Sequence, residues 1–323
     1  MRDILDVSSS EDDENHRTPE HLARQESASH QAYIFGYSSL MVNLKQMHPT
    51  PSQVFILWEV FKDNVDPVVR ILHRPTATKI LMNASSNVDG LSKPAEALLF
   101  AIYFASVISL DDQQCMELLK DSRHALVNRF RFAAEQALAR AGFLSSSSLM
   151  VLQAFVFFLI CVRHQDDSRL VGSLTGLAIH LAQALGIHRD GTNFHLNAFD
   201  TEMRRRLWWH VSILDNRSAE DYGVEPTFTE HFYDTKLPLN INDDDISPGM
   251  KDPPVERKGC SEMTFCLIRF ELSVVSRRLN FTSSGSGPCP VEERTLEDKE
   301  KIIDDCHKNL EEKYLQYCDM NVP

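Results

Sequence analysis

The chain has 323 residues, 43% of them hydrophobic, and its 33 Lys and Arg against 46 Asp and Glu give a formal net charge of −13. Because binding to a phosphate backbone relies on dense positive charge, this acidic balance argues against a protein whose main task is to coat nucleic acid. The length fits two domains or one large one, and the 12 glycines leave little material for a many-stranded barrel or sandwich, so an all-α fold is predicted.

The amino-terminal region, residues 1–50, is acidic and rich in serine. It has no apolar segment behind a basic start, so it is not a signal peptide, and it is predicted to be disordered. The helical body, residues 51–323, begins with an apolar helical stripe over 54–61. Pro67 predicts the start of a short helix over 68–73, which Pro75 is expected to end.

Two almost wholly apolar runs cover residues 95–110 and 149–162. Both are shorter than the roughly 20 residues of a bilayer span, so they are predicted as buried core helices, and no membrane contact is expected. Between them, apolar residues recur at helical spacing over 113–141, which predicts an amphipathic helix or a pair of helices. The serines at 145–148 are expected to supply an N-cap for the second core helix.

A leucine stripe predicts a helix over 169–185, and Gly186 follows where a left-handed C-terminal residue is favoured. The next helix, over 200–217, carries two acid-first pairs at i, i+4, Asp200 with Arg204 and Glu202 with Arg206. An irregular, Pro-rich and Asp-rich connection follows over 222–254. Such a long loop often carries function.

A further helix is predicted over 261–279, then a flexible linker, then a last acidic helix that starts at Thr295 with Asp298 in a capping box and runs to about Tyr317. No strand pair is predicted. The repeated order of helix, cap and helix predicts a multi-helix body built of antiparallel helix pairs.

Motifs for common chemistries are absent from the sequence. No phosphate-binding loop, nucleophile elbow or zinc-protease helix occurs. A calcium loop beginning at Asn240 would lack its glycine and its bidentate Glu, and the four histidines between His180 and His210 are not spaced one helical turn apart. The seven cysteines are odd in number and form no C-x-x-C, so reduced thiols are predicted. No catalytic, metal-binding or DNA-binding residue and no cofactor is therefore predicted.

The arginine run Arg204–Arg206 has two interpretations: a small basic patch for nucleic acid or an acidic partner, or internal ion pairs with Asp200, Glu202 or Asp215. Three adjacent arginines on a helix point in three directions, which favours ion pairs. The adjacent tryptophans at 208 and 209 either stack on a ligand or anchor helix packing, and core packing is favoured.

Three blocks in this order and spacing carry a family resemblance: LTGLAIHLAQALGIHRDG at 174–191, EMRRRLWWHVSILDNRSAEDYG at 202–223 and FYDTKLPLNINDDDI at 232–246. They closely resemble the middle homology region of fungal transcription factors that carry a six-cysteine binuclear zinc cluster. The block LWEVFKDNVDPVVRILHRPT at 57–76 resembles the start of that region.

This resemblance implies an all-helical regulatory domain over 51–323, in a nuclear transcription regulator of a metabolic or secondary-metabolite gene cluster. Its implied partners are a transcription complex, another zinc-cluster factor or a second copy, with promoter DNA reached only indirectly, and a small-molecule effector. The family's recurrent positions fall on Arg204, Arg205, Arg206, Trp208, Trp209, Asp215, Arg217, Leu237, Pro238 and Asp243.

The sequence departs from the family in two respects. Full-length members hold zinc with six closely spaced cysteines, and no such set precedes Val54. Zinc binding and direct DNA recognition are therefore not expected of this chain. Its carboxy end is also short, which leaves the helical body either incomplete or completed by a partner.

One alternative is a terpene-synthase-like all-α enzyme, because such enzymes use Asp clusters to hold magnesium and diphosphate. The candidate clusters are degenerate. Asp111-Asp112 lacks a third Asp, and Asp243–Asp245 is followed by Ile246 and Ser247. The regulator is the favoured interpretation.

Overall fold

The computed structural model describes residues 43–163, 168–228, 232–280 and 295–318. Its described part is built of α-helices, short 3₁₀ turns and loops and contains no β-strand, so the all-α prediction is confirmed. The helices are α1 Pro51–Val60, α2 Arg74–Ser86, α3 Lys93–Ile108, α4 Asp112–Leu119, α5 Arg123–Arg140, α6 Leu149–Val162, α7 Ser168–Ala184, α8 Ala198–Tyr222, α9 Thr264–Asn280 and α10 Leu296–Lys313.

The predicted disorder of residues 1–50 falls mostly outside the described residues. Residues 43–50, however, lie against the body: Leu44 is buried, and Arg129 Nη2 donates to the Met47 carbonyl at 2.8 Å. The predicted linker between the last two helices lies outside the described residues.

The hydrophobic core is centred on α3, which packs against α1, α5 and α6. Both apolar runs are buried helices, as predicted, and Phe104 of α3 meets Phe158 of α6 at a ring distance of 6.1 Å. Burial of each such phenylalanine side chain stabilises the folded state by about 1.5–3 kcal/mol. Ser148 is the N-cap of α6, but its hydroxyl makes no capping hydrogen bond, so the expected side-chain cap does not form.

The predicted short helix over 68–73 is wrong. These residues form a turn and an extended segment, and a π-helical turn, Phe61–Val65, precedes them. Pro75 starts the next helix instead of ending one, because it occupies the first turn of α2, where the missing N–H needs no partner. The irregular segment 66–73 places Asp66, Arg70 and His73 in the interior.

The pair α7 and α8 forms the second layer and packs on α6. Gly186 ends the turn after α7 with φ +71°, as predicted. Gly172 faces the ring of Tyr222 with no room for a Cβ, whereas Gly176, four residues later on α7, faces open space. The antiparallel direction of the helix pairs stays a prediction.

The last helices, α9 and α10, pack on each other, and α9 packs on α8. The predicted capping box of Thr295 with Asp298 starts α10, which ends earlier than expected and leads into a 3₁₀ turn, Leu315–Tyr317. Glu271 of α9 accepts from Tyr314 Oη at 3.0 Å.

No described helix combines the length and apolar character needed to span a bilayer.

Candidate regulatory site

The three arginines of α8 reach three different partners. Arg204 donates to the Leu185 carbonyl at 3.2 Å, and Arg205 binds Asp190 with two hydrogen bonds of 2.8 and 2.9 Å. Arg206 is fully buried. The expected pair of Glu202 with Arg206 forms in the interior, whereas Asp200 hydrogen-bonds Asn197 instead of Arg204. The arginine run therefore does not form an exposed basic patch.

Arg206 joins α8 to the Asp-rich loop. Its Nε donates to Glu202 Oε1 at 2.9 Å and its Nη1 donates to Asp243 Oδ1 at 2.7 Å. The second oxygen of Glu202 accepts from the Leu239 backbone at 3.1 Å. One helical turn thus holds the loop at two points.

Asp243 also faces the segment before α2. Its Oδ2 accepts from the Arg74 backbone at 2.7 Å and lies 3.5 Å from Arg70 Nη2. Arg70 in turn pairs with Asp66 at 2.9 Å and with Glu262. Since Glu262 lies in the turn that leads into α9, the charged cluster connects α2, α8, this turn and the loop.

The cluster contains four carboxylates and three guanidinium groups. Burial disfavours ionisation of Asp243, but the charges of Arg206 and Arg70 outweigh it and hold the pKa of Asp243 below its usual range. Burial raises the pKa of Asp66 despite Arg70 and Arg74. A buried ionic cluster adds little net stability, but removing one member leaves its partners uncompensated. Its members are Asp66, Arg70, Arg74, Glu202, Arg206, Asp243 and Glu262.

Asp190 forms a second junction between α8 and the loop. Besides Arg205, it accepts from Thr192 Oγ1 at 2.6 Å and from the Lys236 backbone at 3.0 Å. Burial works against its ionisation, yet the hydrogen bonds from Arg205 and Thr192 lower the pKa of Asp190 well below its usual range. Trp209 Nε1 donates to the Lys236 carbonyl at 2.9 Å, so the backbone of this loop residue is held by both Asp190 and Trp209.

Both tryptophans lie in the core. Trp208 is fully buried, with ring distances of 4.9 Å to Phe228 and 5.5 Å to Tyr233. Trp209 packs 5.7 Å from Phe270 of α9. Neither ring is available to stack on a base or a ligand.

Two further family positions on α8, Asp215 and Arg217, differ in environment. Asp215 is buried and accepts from the Thr227 backbone at 3.0 and 3.1 Å, and Arg277 lies 3.7 Å away. Arg217 is half exposed and pairs with Glu220 on the surface. The structure therefore assigns a structural contact to Asp215 and a solvent-facing position to Arg217.

Leu237 and Pro238 line a cavity of about 630 Å³, here called the C-terminal groove. Its walls are the loop 236–240, the segment 256–259, the end of α10 at Glu312 and Lys313, and the carboxy-terminal turn that follows, with Tyr314 and Tyr317. Two exposed lysines, Lys236 and Lys258, line it and form no ion pair with any described residue. The groove thus offers an apolar wall beside these two lysines, and Glu256 and Glu312 also line it.

Sequence reasoning missed most partners of the family positions. Asp66 and Arg70 lie inside the 57–76 block and are spaced i, i+4, which is a signal for an ion pair. Asp190 and Glu262 carry no comparable local signal, because their partners Arg205 and Arg70 lie in other segments of the chain. His73 was also missed; its Nε2 contacts the carbonyls of Asp243 and Ile246 at 3.0 and 3.1 Å.

Neither Asp cluster has the geometry of a magnesium diphosphate site. Asp111 caps α4 by accepting from the Gln114 backbone at 2.7 Å. Asp243 is buried among arginines, and Asp245 binds Arg257 with two hydrogen bonds of 2.6 and 2.7 Å. The described residues contain no group of three or more His, Cys, Asp or Glu side chains placed to hold a metal ion.

In a comparison with known protein families, the model described as "Fungal specific transcription factor domain" matches residues 58–277. This range contains every residue of the four blocks that carry the sequence resemblance except Leu57. No solved structure matches the chain.

Similar curated proteins are named as regulators of transcription. Transcriptional regulator AacuB of Aspergillus aculeatus is 36% identical over 289 residues, 88% of this chain and 39% of that protein. The aurofusarin cluster transcription factor aurR2 of Gibberella zeae is 35% identical over 279 residues, 85% of this chain and 41% of that protein. The pyriculol/pyriculariol biosynthesis cluster transcription factor 1 of Pyricularia oryzae is 33% identical over 338 residues, 99% of this chain and 44% of that protein. The chain spans about two fifths of the length of these relatives.

Proposed function

The chain belongs to the fungal specific transcription factor family, and from this premise we propose that it regulates transcription in the nucleus, at a metabolic or secondary-metabolite gene cluster. The observation that carries the proposal is the family match together with relatives named for such clusters. The terpene-synthase-like alternative has no support in either the Asp geometry or the relatives.

The described domain acts as a regulatory module. It receives a signal and passes it to a transcription complex, to another zinc-cluster factor or to a second copy of this chain. Promoter DNA is contacted through such a partner, because the described residues carry neither an exposed arginine patch nor the cysteine set of a zinc cluster.

The C-terminal groove is the receiving site for a small effector with an acidic group and an apolar body. Lys236 and Lys258 supply the positive charge, and Leu237 and Tyr314 supply the apolar wall. The groove lies directly against Arg205, whose partner Asp190 holds the Lys236 backbone. An effector at Lys236 therefore acts on the same loop that the buried ionic cluster holds to α8.

The test is a gene deletion complemented with tagged versions of the chain, followed by transcript sequencing and chromatin immunoprecipitation. The native chain is expected to enter the nucleus, to occupy a small set of promoters and to restore the transcripts of a gene cluster. A double variant, Lys236→Glu with Lys258→Glu, is expected to fold and enter the nucleus but to lose regulation. The control is Arg217→Met, which removes an exposed ion pair with Glu220 at a residue that does not line the groove. Exclusion from the nucleus, or unchanged transcripts in the deletion strain, would overturn the proposal.

A further inference from the structure

Two cysteines from distant parts of the chain meet at the rim of the C-terminal groove. Cys260, in the turn before α9, and Cys318, after α10, have their sulfur atoms 3.2 Å apart. They are separated by 58 positions in sequence. A disulfide bond is about 2.05 Å long, so the two sulfur atoms need to close by only about 1 Å.

The backbone on both sides of the pair is held in place. Asn240 Nδ2 donates to the Gly259 carbonyl at 2.8 Å, and Asn240 Oδ1 accepts from Ser261 Oγ at 2.7 Å, so both neighbours of Cys260 are fixed to the loop. Cys318 N donates to the Leu315 carbonyl at 3.0 Å within the last turn. The meeting of the sulfur atoms is therefore a property of the fold and not of two mobile ends.

The other described thiols are placed differently. Cys115, Cys161 and Cys266 are buried, and burial raises the pKa of each. Cys306 is half-buried on α10. Cys260 is exposed, so an oxidant in solution reaches it directly.

From this placement we infer that Cys260 and Cys318 form a reversible disulfide that fastens the carboxy-terminal turn across the C-terminal groove. A hydroperoxide oxidises the Cys260 thiol to a sulfenic acid and is itself reduced to an alcohol or to water. The Cys318 sulfur then attacks the Cys260 sulfur, the S–S bond forms and water leaves. A dithiol restores both thiols by exchange.

The bond changes the groove because its neighbours are groove walls. Gly259 and Tyr317 both line the groove, and a Cβ added at Gly259, whose φ is +94°, would lie only 3.3 Å from the Tyr317 side chain. In the thiol form the two walls are held by packing and by a weak hydrogen bond from Cys260 Sγ to the Tyr317 carbonyl at 3.6 Å. In the disulfide form the two walls are joined covalently, and α10 cannot separate from the turn before α9 without breaking the bond. The chemistry of the pair does not depend on the proposed role in transcription.

The test uses the whole chain, treated with hydrogen peroxide, alkylated and digested with trypsin and a glutamate-specific protease without reduction. Cleavage after Lys258 and Glu262 releases a peptide that contains Cys260 without Cys266. This peptide is expected to be linked to the carboxy-terminal peptide of Cys318, with a mass lower than the sum of the two by two hydrogen atoms. Dithiothreitol should separate them.

Matched variants complete the test. Cys260→Ser and Cys318→Ser should each abolish the linked peptide, whereas Cys306→Ser, at a half-buried thiol on α10, should retain it. Oxidation should raise the melting temperature of the native chain by about 5 °C, reversibly, and leave that of Cys318→Ser unchanged. Sulfinic acid at Cys260 without a linked peptide, a link to another cysteine, or disulfide-bonded dimers would each overturn the inference.

Discussion

Arg206 and Asp243 lie 37 positions apart in the chain and are joined by a 2.7 Å hydrogen bond between Nη1 and Oδ1, with both side chains buried. This bond is one of the contacts that hold the Asp-rich loop on α8, and it is itself positioned because the same arginine is held by Glu202 and the same aspartate by Arg74 and Arg70.

Arg206→Met should destabilise the protein by about 3–5 kcal/mol, because it leaves the carboxylates of Glu202 and Asp243 buried without their shared partner. The measurement is urea unfolding followed by helical circular dichroism. Arg217→Met is the control and should cost less than about 1 kcal/mol, since its ion pair with Glu220 is solvent-exposed. A cost for Arg206→Met as small as that of the control would contradict the role given to the buried cluster.

Asp190→Asn should cost about 3 kcal/mol, because the amide cannot replace a carboxylate that accepts from Arg205, Thr192 and the Lys236 backbone. The control is Asp221→Asn, which disrupts an equally bidentate pair with Arg163 on the partly exposed surface. Thermal unfolding of the two variants is compared with the native chain. Equal losses of stability in the two variants would contradict the expectation that the buried Asp190 pair contributes more than the exposed Asp221 pair.

His210 gives the protein a dependence on pH. Burial lowers the pKa of His210 to about 3, although its Nδ1 contacts the Arg206 carbonyl at 2.8 Å. In the unfolded chain a histidine has a pKa of about 6.5. The unfolded state therefore binds a proton that the folded state does not, and the free energy of unfolding should decrease as the pH falls below about 6.5.

His210→Gln should flatten this decrease, which for His210 begins near the unfolded pKa of about 6.5 and continues down to the folded pKa of about 3. Some slope should remain, because burial also lowers the pKa of His188. His124→Gln, at an exposed position on α5, should leave the slope unchanged. Urea unfolding at several pH values checks this, and parallel curves for native and His210→Gln proteins would refute it.

Gly191→Ala should destabilise the protein by about 2 kcal/mol. A Cβ at this position would lie 2.6 Å from Thr201 Oγ1 and 3.1 Å from Thr201 Cα, so α8 itself would have to move. Gly176→Ala is the matched control, because a Cβ there meets no atom within 4 Å and alanine favours the helix. The control should unfold at an equal or higher temperature, and a similar loss in both variants would count against the packing argument.

The described helices could largely be predicted from the sequence. The apolar runs at 95–110 and 149–162 are longer than a strand, and apolar side chains on every face leave burial as the only stable arrangement, so α3 and α6 follow from local information. The capping residues Thr295 and Asp298 and the left-handed Gly186 also act within a few residues of their own position.

The error at 68–73 shows where local reasoning fails. Pro67 and Pro75 allow either a short helix between them or a helix that starts at the second proline. Burial of the charged side chains of Asp66 and Arg70 decides between these two arrangements, because the irregular segment places Arg70 against Asp66 and also against Asp243 and Glu262. The last two partners lie about 180 positions further along the chain.

The sequence by itself determined the helical class, the positions of most helices and the family, because these depend on the spacing of apolar residues and on motifs that are continuous in the chain. Only the tertiary structure decided which carboxylate each arginine binds, how the Asp-rich loop lies on α8 and that Cys260 meets Cys318. The physical reason is that an ion pair or a thiol contact needs two atoms within a few ångströms, and packing of the whole helical body sets that distance for residues remote in sequence.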